Sequence, residues 1–418
     1  MPATHSPSEA LAVLESRGHW GIKKGLENIR GMLAEMGNPE TSYPALLIAG
    51  TNGKGSTGAF LAHALKAAGK KVGWTTSPHL VSPSERIWID GQRISEEYLG
   101  ELLARALGAE GACGAKATYF ELIIASALQA FKESSVDIAI VEVGLGGRWD
   151  STNALDPILT VLTNVAFDHT AHLGNTLEAI AREKLCTARN GRPLVIGPGL
   201  DPGWLEPLCE CRPVMAPSKI PDAEIFWGYS VVGGHRINLA GEYQILNLAT
   251  AMTAIDALRS LGWELNPDAI FSGFSNATWP GRLWPVPGLK GVTFDGAHNA
   301  QGAQALASHM HKFGVHAHII FCAMSDKDIA SMARELAATA PHSVTVAQVD
   351  GAEDAKFSRC STVEAMQRAW QDAGYGEPQA LTLDAIAAKL RQNNADTILV
   401  TGSLYFLGHL MKELNTSI

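Results

Sequence analysis

Short runs of apolar residues alternate with longer stretches in which apolar positions return every three or four residues, through most of the 418-residue chain. A run with no polar face reads as a strand of a parallel sheet covered on both sides, and the periodic stretches read as crossover helices. Ala45-Leu-Leu-Ile-Ala49 is the first such strand, a helix is predicted over 57–68 with Gly69 closing it, and 71–75 is the next strand. Residues 119–132 suit a helix, and 137–143 and 158–164 suit core strands. Each of these strands runs into a polar cluster. Ligands of open α/β sheets bind outside the carboxyl ends of the strands, so the clusters are expected to share one crevice.

A helix of small apolar residues is predicted over 246–261, and Trp279-Pro-Gly-Arg-Leu-Trp-Pro-Val-Pro-Gly288 follows it. Its three prolines and two glycines in ten residues mark a domain boundary. Beyond it the pattern restarts, with strands over 292–295, 317–322, 343–349 and 397–401 and helices over 301–313 and 329–339. At about 150 residues per domain the length admits two or three domains, and the boundary selects two. The expected fold is α/β: a doubly wound, mainly parallel sheet with a P-loop in residues 1–284, and a second, smaller Rossmann-like α/β domain in residues 285–418.

Composition narrows the partners. The chain carries 33 Lys+Arg against 42 Asp+Glu, a net charge of −9, which argues against a surface built to neutralise nucleic-acid phosphates. No window approaches the ~18 uninterrupted apolar residues of a membrane span, so no membrane partner is expected. The first twenty residues hold Glu9 and Glu15 and no basic stretch leading into an apolar one, so a cytoplasmic protein is expected. The six cysteines (Cys113, Cys186, Cys209, Cys211, Cys322 and Cys360) include no CxxC pair, and neither a zinc site nor a disulfide framework is expected of them.

The strongest local signal is Gly50-Thr-Asn-Gly-Lys-Gly-Ser-Thr57, between a predicted strand and a predicted helix. Glycines let successive backbone N–H groups turn toward phosphate oxygens, and the helix amino terminus adds partial positive charge. Lys54 is then the cation for the β/γ-phosphates, with Thr51, Asn52, Gly53, Gly55 and Ser56 completing the loop. Gly55 separates Lys54 from Ser56, a departure from the ordinary G-x-x-x-x-G-K-[ST] spacing. A tight glycine turn with an exposed lysine is the bland alternative; ATP binding is the reading adopted.

Beyond that loop, further stretches follow in order: Thr76-Ser-Pro-His-Leu80, Glu85-Arg-Ile87, Thr118-Tyr-Phe-Glu121, Glu142-Val-Gly-Leu-Gly-Gly-Arg148, Phe167-Asp-His169, Glu183-Lys184, Gly241-Glu-Tyr-Gln244, Pro280-Gly-Arg282, Asp295-Gly-Ala-His-Asn299, Asp326-Lys-Asp328 and Thr401-Gly-Ser403. Together these residues resemble the Mur ligase superfamily and, within it, the folylpolyglutamate synthase/dihydrofolate synthase family, over residues 20 to 410. Gly55 favours that folate branch over the cell-wall ligases. The resemblance implies an ATP-dependent ligase that joins L-glutamate to the carboxyl group of a pteroate or folate through an acyl phosphate. Dihydropteroate, tetrahydrofolate polyglutamates or both are the implied acceptors, and a monomer is implied.

Residue by residue, the resemblance implies Mg²⁺ ligands at Ser77, Glu142 and His169, and at Lys184 a lysine that is carbamylated to hold a second Mg²⁺. It implies ATP contacts at Asn247, Arg282 and Asp295 and catalytic roles for Lys54, His169, Lys184 and Arg282. On the acceptor side it implies Thr118, Tyr119, Phe120, Glu121, Trp149, Asp150 and Ser151, with His298 facing glutamate. Read bare, Glu142 is a strand-end carboxylate, His169 a hydrogen-bonded structural histidine, Lys184 a solvated lysine, Arg282 a linker arginine, Asp295 a helix cap, and Tyr119 and Trp149 core aromatics. Lys23 stands where several bifunctional relatives carry Asp, which leaves dihydrofolate synthase activity open. A cell-wall amino-acid ligase and an NTP-driven switch without ligation are the competing functions.

Overall fold

The computed structural model describes residues 5–18, 24–200, 203, 211–220, 222–349, 360–394 and 396–416. Lys23 and Cys209 lie outside the described residues. Strands β1 (Ala45–Ala49), β2 (Val72–Thr75), β3 (Ile87–Ile89), β4 (Gln92–Arg93), β5 (Ile138–Glu142), β6 (Leu159–Leu162), β7 (Pro193–Ile196) and β8 (Arg212–Met215) form one sheet in the order β4-β3-β2-β5-β1-β6-β7-β8. The pairs from β2 to β8 run parallel, while β2–β3 and β3–β4 are antiparallel at one edge. Central strands β1 and β5 are buried at every position, as uniformly apolar runs require, whereas edge strand β8 is exposed throughout.

The strand order locates the crevice. From β1 the chain moves to one side, toward β2, and from β6 it moves to the other, toward β7, so the winding reverses between these neighbours. The carboxyl ends of β1 and β6 therefore flank the place where a doubly wound sheet binds its ligand. The helix after β1 spans Lys54–Ala67 and begins three residues before its expected start, because Gly53 at φ +83° serves as its N-cap. Helix Glu96–Cys113 is capped by Ser95 and ends at Gly114, φ +68°. It packs with helices Tyr119–Glu133 and Pro7–Ser16 in a core that includes Leu102, Leu103, Leu122 and Phe131.

Next in the chain, β9 (Glu224–Ile225), β10 (Ser230–Val232) and β11 (His235–Ile237) form a small antiparallel sheet, too short to leave a periodic signal in the sequence. A second parallel-rich sheet is built from β12 (Trp284–Pro285), β13 (Val292–Asp295), β14 (His318–Phe321), β15 (Ser343–Gln348), β16 (Gln379–Thr382) and β17 (Ile398–Thr401), ordered β12-β13-β17-β14-β15-β16. Only the β12–β13 pair is antiparallel among these. The α/β expectation holds for both sheets.

The chain divides into two compact units, the larger comprising Met1–Pro78, Ser82–Ile220 and Leu246–Ala277 and the smaller His79–Val81, Pro221–Ile245 and Thr278–Ile418. This differs from a boundary at 284/285, which cuts through β12. The Pro/Gly-rich stretch is not a free linker: Gly296 N–H donates to Gly281 O at 2.7 Å, and Leu283 is buried. Residues 221–245 join the smaller unit because Trp227, Ala240 and Tyr243 pack on its core and Trp227 stacks on His309 with ring centroids 5.0 Å apart. Among the described residues, no helix is long and apolar enough to cross a membrane.

The P-loop helix is fixed from behind by helix Pro267–Asn276, whose Gly273 lies so close that an added Cβ would fall 2.4 Å from Ala64 Cα. Because that neighbour is backbone, Gly273→Ala is expected to lower unfolding stability by about 1–3 kcal/mol in a denaturant titration, through overpacking.

Candidate active site

At the end of β1 the loop of residues 50–53 turns through Gly50 (φ +149°) and Gly53 (φ +83°), conformations that disfavour a side chain. A Cβ on Gly50 would come 1.9 Å from Thr163 Oγ1, and one on Gly53 2.3 Å from Asn247 Oδ1, so both glycines are also demanded by close packing. The backbone carbonyls of this turn are held from behind. Ala49 O accepts from Thr163 N at 2.9 Å, and Gly50 O accepts from Lys54 Nζ at 3.1 Å and from Lys184 Nζ at 3.0 Å. Thr51 O accepts from Lys54 Nζ at 3.1 Å, Asn52 O from Thr163 Oγ1 at 2.6 Å, and Gly53 O from Thr57 N at 2.9 Å. Five successive carbonyls are thus bound at the amino end of a 14-residue helix, whose macrodipole places partial positive charge there.

The loop after β6 completes the mount. Thr51 N donates to Asn164 O at 3.1 Å, Asn52 N to Asn164 Oδ1 at 2.8 Å, and Ala166 N to Thr51 Oγ1 at 3.1 Å. Sequence reasoning gave Thr163 and Asn164 no role. The signal for them was their place at the carboxyl end of the strand beside β1. The same loop delivers His169, which adopts a left-handed backbone (φ +50°), uncommon outside glycine. Asp168 stabilises it: Asp168 Oδ1 accepts from His169 N at 2.8 Å and lies 3.7 Å from His169 Nε2. The Phe-Asp-His pattern alone gives Asp168 no function, and the structure supplies one.

Glu142 is the last residue of β5 and is buried, with Thr76 Oγ1 donating to its Oε2 at 2.5 Å. Ser77 follows Thr76 directly and is half-buried. Glu142, Ser77 and His169 all lie at the carboxyl ends of strands β5, β2 and β6, the side on which the P-loop sits. Among the described residues, no three His, Cys, Asp or Glu side chains gather into a ready metal cage. A carboxylate, a hydroxyl and an imidazole suit a hard divalent ion that keeps water and phosphate ligands, so the donor set fits Mg²⁺ held jointly with a nucleotide.

Lys184 is 4% exposed, which removes the solvated-lysine alternative. Burial, with the charge of Lys54 adding to it, pulls its amine down to about 7, against the opposing pull of Asp168 and Asp150. The segment 147–148 clamps this helix end: Arg148 N donates to Glu183 O at 3.0 Å, and the Arg148 guanidinium pairs with Glu183 at 3.0 Å.

The residues proposed for the acceptor separate into two groups. Thr118 and Glu121 form a reciprocal cap at the start of helix Tyr119–Glu133, with Glu121 N donating to Thr118 Oγ1 at 3.2 Å and Thr118 N to Glu121 Oε2 at 2.7 Å. Asp150 is buried and accepts from Leu145 N at 2.8 Å and from Thr152 N at 3.0 Å and Oγ1 at 2.5 Å, bracing the 144–152 loop; burial pushes its carboxyl up. Tyr119 is a core side chain, 1% exposed, with the Arg86 guanidinium 5.2 Å from its ring centroid. Trp149, by contrast, is 47% exposed and so is not a core aromatic. Phe120 is half-buried beside Gly144, and Ser151 is buried at the start of a short 3₁₀ turn.

In the smaller unit Asp295 ends β13 and is buried, accepting from Leu283 N at 2.8 Å and Ala297 N at 2.9 Å; burial pushes its carboxyl up while Arg282 opposes. It is not a helix cap, a role taken by Asn299, whose Oδ1 accepts from Gly302 N at 2.8 Å. Arg282 is half-buried and donates to Gly281 O at 3.0 Å. His298 Nδ1 lies 2.8 Å from Gly296 O. Asn247 belongs to the larger unit, its amide oxygen against Gly53.

Comparison with known proteins returns two family matches: the Mur ligase middle domain over residues 48–188 and the dihydrofolate synthetase C-terminal domain over residues 289–413. The Bacillus subtilis dihydrofolate synthase/folylpolyglutamate synthase is 33% identical over 97% of this chain and 98% of its own. Among solved structures, Escherichia coli FolC in complex with DHPP and ADP superposes with a TM-score of 0.82 at 30% identity, covering 99% of this chain and 98% of that one. The Yersinia pestis bifunctional folylpolyglutamate synthase/dihydrofolate synthase complexed with AMPPNP and Mn ion superposes at 0.80 with 28% identity, covering 99% of each.

The buried lysine has a stability signature. Its ordinary value is 10.5 and its folded value about 7, so between these the unfolded chain holds a proton that the native state lacks. Stability linked to Lys184 therefore rises as pH increases from about 7 toward 10, and its cost is greatest at pH 7 and below. Lys184→Met is expected to be relatively more stable at pH 6.5 than at pH 9.5 in parallel urea titrations against the parent chain; a difference independent of pH would show that Lys184 titrates normally.

Proposed function

The chain belongs to the dihydrofolate synthase/folylpolyglutamate synthase family of Mur-type ligases, and on that footing we propose how its own residues couple ATP cleavage to amide formation. It is an ATP-dependent ligase that adds L-glutamate to the carboxyl group of folates and uses a divalent cation. The observation that carries the residue-level reading is the P-loop, a glycine turn whose five consecutive carbonyls are hydrogen-bonded at the amino end of a 14-residue helix, where phosphate is favoured.

ATP binds with its β- and γ-phosphates on residues 51–56, and Lys54 leaves Gly50 O and Thr51 O to meet them. Lys184 keeps Gly50 O occupied when Lys54 moves. Asn247, Arg282 and Asp295 are the further nucleotide contacts, with Arg282 neutralising charge on the transferring phosphoryl group. A folate carboxylate oxygen attacks the γ-phosphorus and ADP departs, leaving an acyl phosphate. The glutamate amine then attacks the acyl carbon, loses a proton, and the C–O bond to phosphate breaks. Bound Mg²⁺ supplies charge neutralisation on the phosphate oxygens, and Ser77, Glu142 and His169 are the residues proposed to hold it. Lys184, with its amine near neutrality, retains enough free base to add CO₂ and release a proton; the resulting carbamate is the proposed holder of a second ion.

On the acceptor side, Trp149 and Phe120 offer aromatic surface to a flat pterin, while Thr118, Glu121 and Asp150 shape the wall through their backbone contacts. His298 is assigned to the glutamate side. The protein is proposed to work as a cytoplasmic monomer, with no nucleic-acid or membrane partner.

Two acceptors decide the finer activity. Phosphate release from ATP, followed with product mass, is expected for glutamate plus tetrahydrofolate; release with glutamate plus dihydropteroate as well establishes dihydrofolate synthase activity. Turnover with neither acceptor refutes the reading and favours a switch-type NTPase. Lys54→Ala is expected to reduce turnover by about 10²–10³-fold with an unchanged circular dichroism spectrum.

A further inference from the structure

In the smaller unit, Cys322 follows β14 and is buried, while Cys360 is half-buried and leads into helix Val363–Asp372. The sulfurs lie 3.9 Å apart, with the Cys322 thiol donating to Cys360 Sγ, and the Cys360 thiol faces Met324 Sδ at 4.0 Å. The backbone holds this arrangement in register. Met324 and Cys360 form an antiparallel bridge, and Ser361 N donates to Ala323 O at 2.9 Å. Cys322 is further anchored by its N–H to Thr401 O at 3.2 Å, and its carbonyl is so close to Gly402 that a Cβ there would fall 2.3 Å away. A disulfide of about 2.05 Å requires the two sulfurs to close from their present separation of 3.9 Å.

We propose that Cys322 and Cys360 form a modification site, a dithiol that closes reversibly to an intramolecular disulfide by exchange with a small-molecule disulfide. The two thiols have separate parts. Cys360 is the reachable one, and the proton that Cys322 donates toward it favours its thiolate. The Cys360 thiolate attacks one sulfur of the small disulfide, breaking its S–S bond and releasing one small thiolate. Cys322 then loses its proton and attacks Cys360 Sγ, expelling the second small thiolate. Two protein thiols are oxidised by one electron each, the small disulfide is reduced by two, and the two protons end on the released thiols. The cross-link ties the chain just ahead of Asp326-Lys-Asp328 to the entry of helix Val363–Asp372, at the carboxyl end of β14.

The test uses the reduced full-length protein and oxidised glutathione, with alkylation of remaining thiols and tryptic mapping without reductant. Lys327 and Arg334 separate the two cysteines in the digest. The expected result is a cross-linked peptide pair containing Cys322 and Cys360, the loss of two titratable thiols, and recovery of both with dithiothreitol. Cys360→Ser is expected to abolish that cross-link, and Cys322→Ser to leave a glutathione adduct on Cys360. Cys322→Ser replaces a buried side chain, so Cys360→Ser carries the test if that variant does not fold. Full alkylation of both residues, or a persistent glutathione adduct on Cys360 in the parent protein, would overturn the proposal.

Discussion

A turn at the end of a fully buried strand has to account for every peptide group it exposes, and here the accounting sets the geometry of the whole site. The carbonyls of Ala49, Gly50, Thr51, Asn52 and Gly53 all have donors, drawn from the residue that follows β6, from the P-loop helix and from Lys184. The turn therefore leaves none of these five carbonyls buried and unsatisfied at the amino end of the P-loop helix. Residues far apart in sequence supply these donors. Thr163 follows the strand beside β1, and Lys184 is 134 positions from the carbonyl it binds.

Placing two lysines on one carbonyl has an electrostatic cost that the protein meets by changing one of them. Lys54 sits in a half-buried loop, while Lys184 is enclosed, and desolvation together with the neighbouring ammonium moves its proton affinity to near neutrality. Asp168 and Asp150 pull the other way, so the amine is balanced rather than forced neutral. Asp168 also holds His169 in its left-handed backbone. One carboxylate thus links the loop that positions an imidazole with the pocket that tunes an amine.

Several side chains that a motif marks as functional prove to shape the backbone. Thr118 and Glu121 close a helix start, and Asp150 knits a loop together with bonds to Leu145 and Thr152. In the smaller unit Asp295 secures both Leu283 and Ala297, so the Pro/Gly-rich stretch is tied to β13 rather than strung between domains. These contacts give such motifs a stability role.

Much of the architecture was readable in advance because its causes are local. Uniform apolar runs, helical periodicity and the glycine pattern of residues 50–55 predict the parallel sheets, the helices between them and the phosphate loop, within a few residues at each boundary. The antiparallel strands of residues 224–237 were not readable, since two- and three-residue strands carry no period. Nor was the division of the chain, because residues 221–245 join the smaller unit through the burial of Trp227, Ala240 and Tyr243 rather than through their position in sequence. The sequence by itself determined the fold class, the loop and the family, because these follow from which residue types recur at which spacing. Only the tertiary structure decided that Lys184 is buried and close to neutral, that Asp168 and Asn164 serve the site, and that Cys322 and Cys360 meet. Burial, charge neighbours and approach distance depend on which distant segments the folded sheets bring together, and spacing along the chain does not encode them.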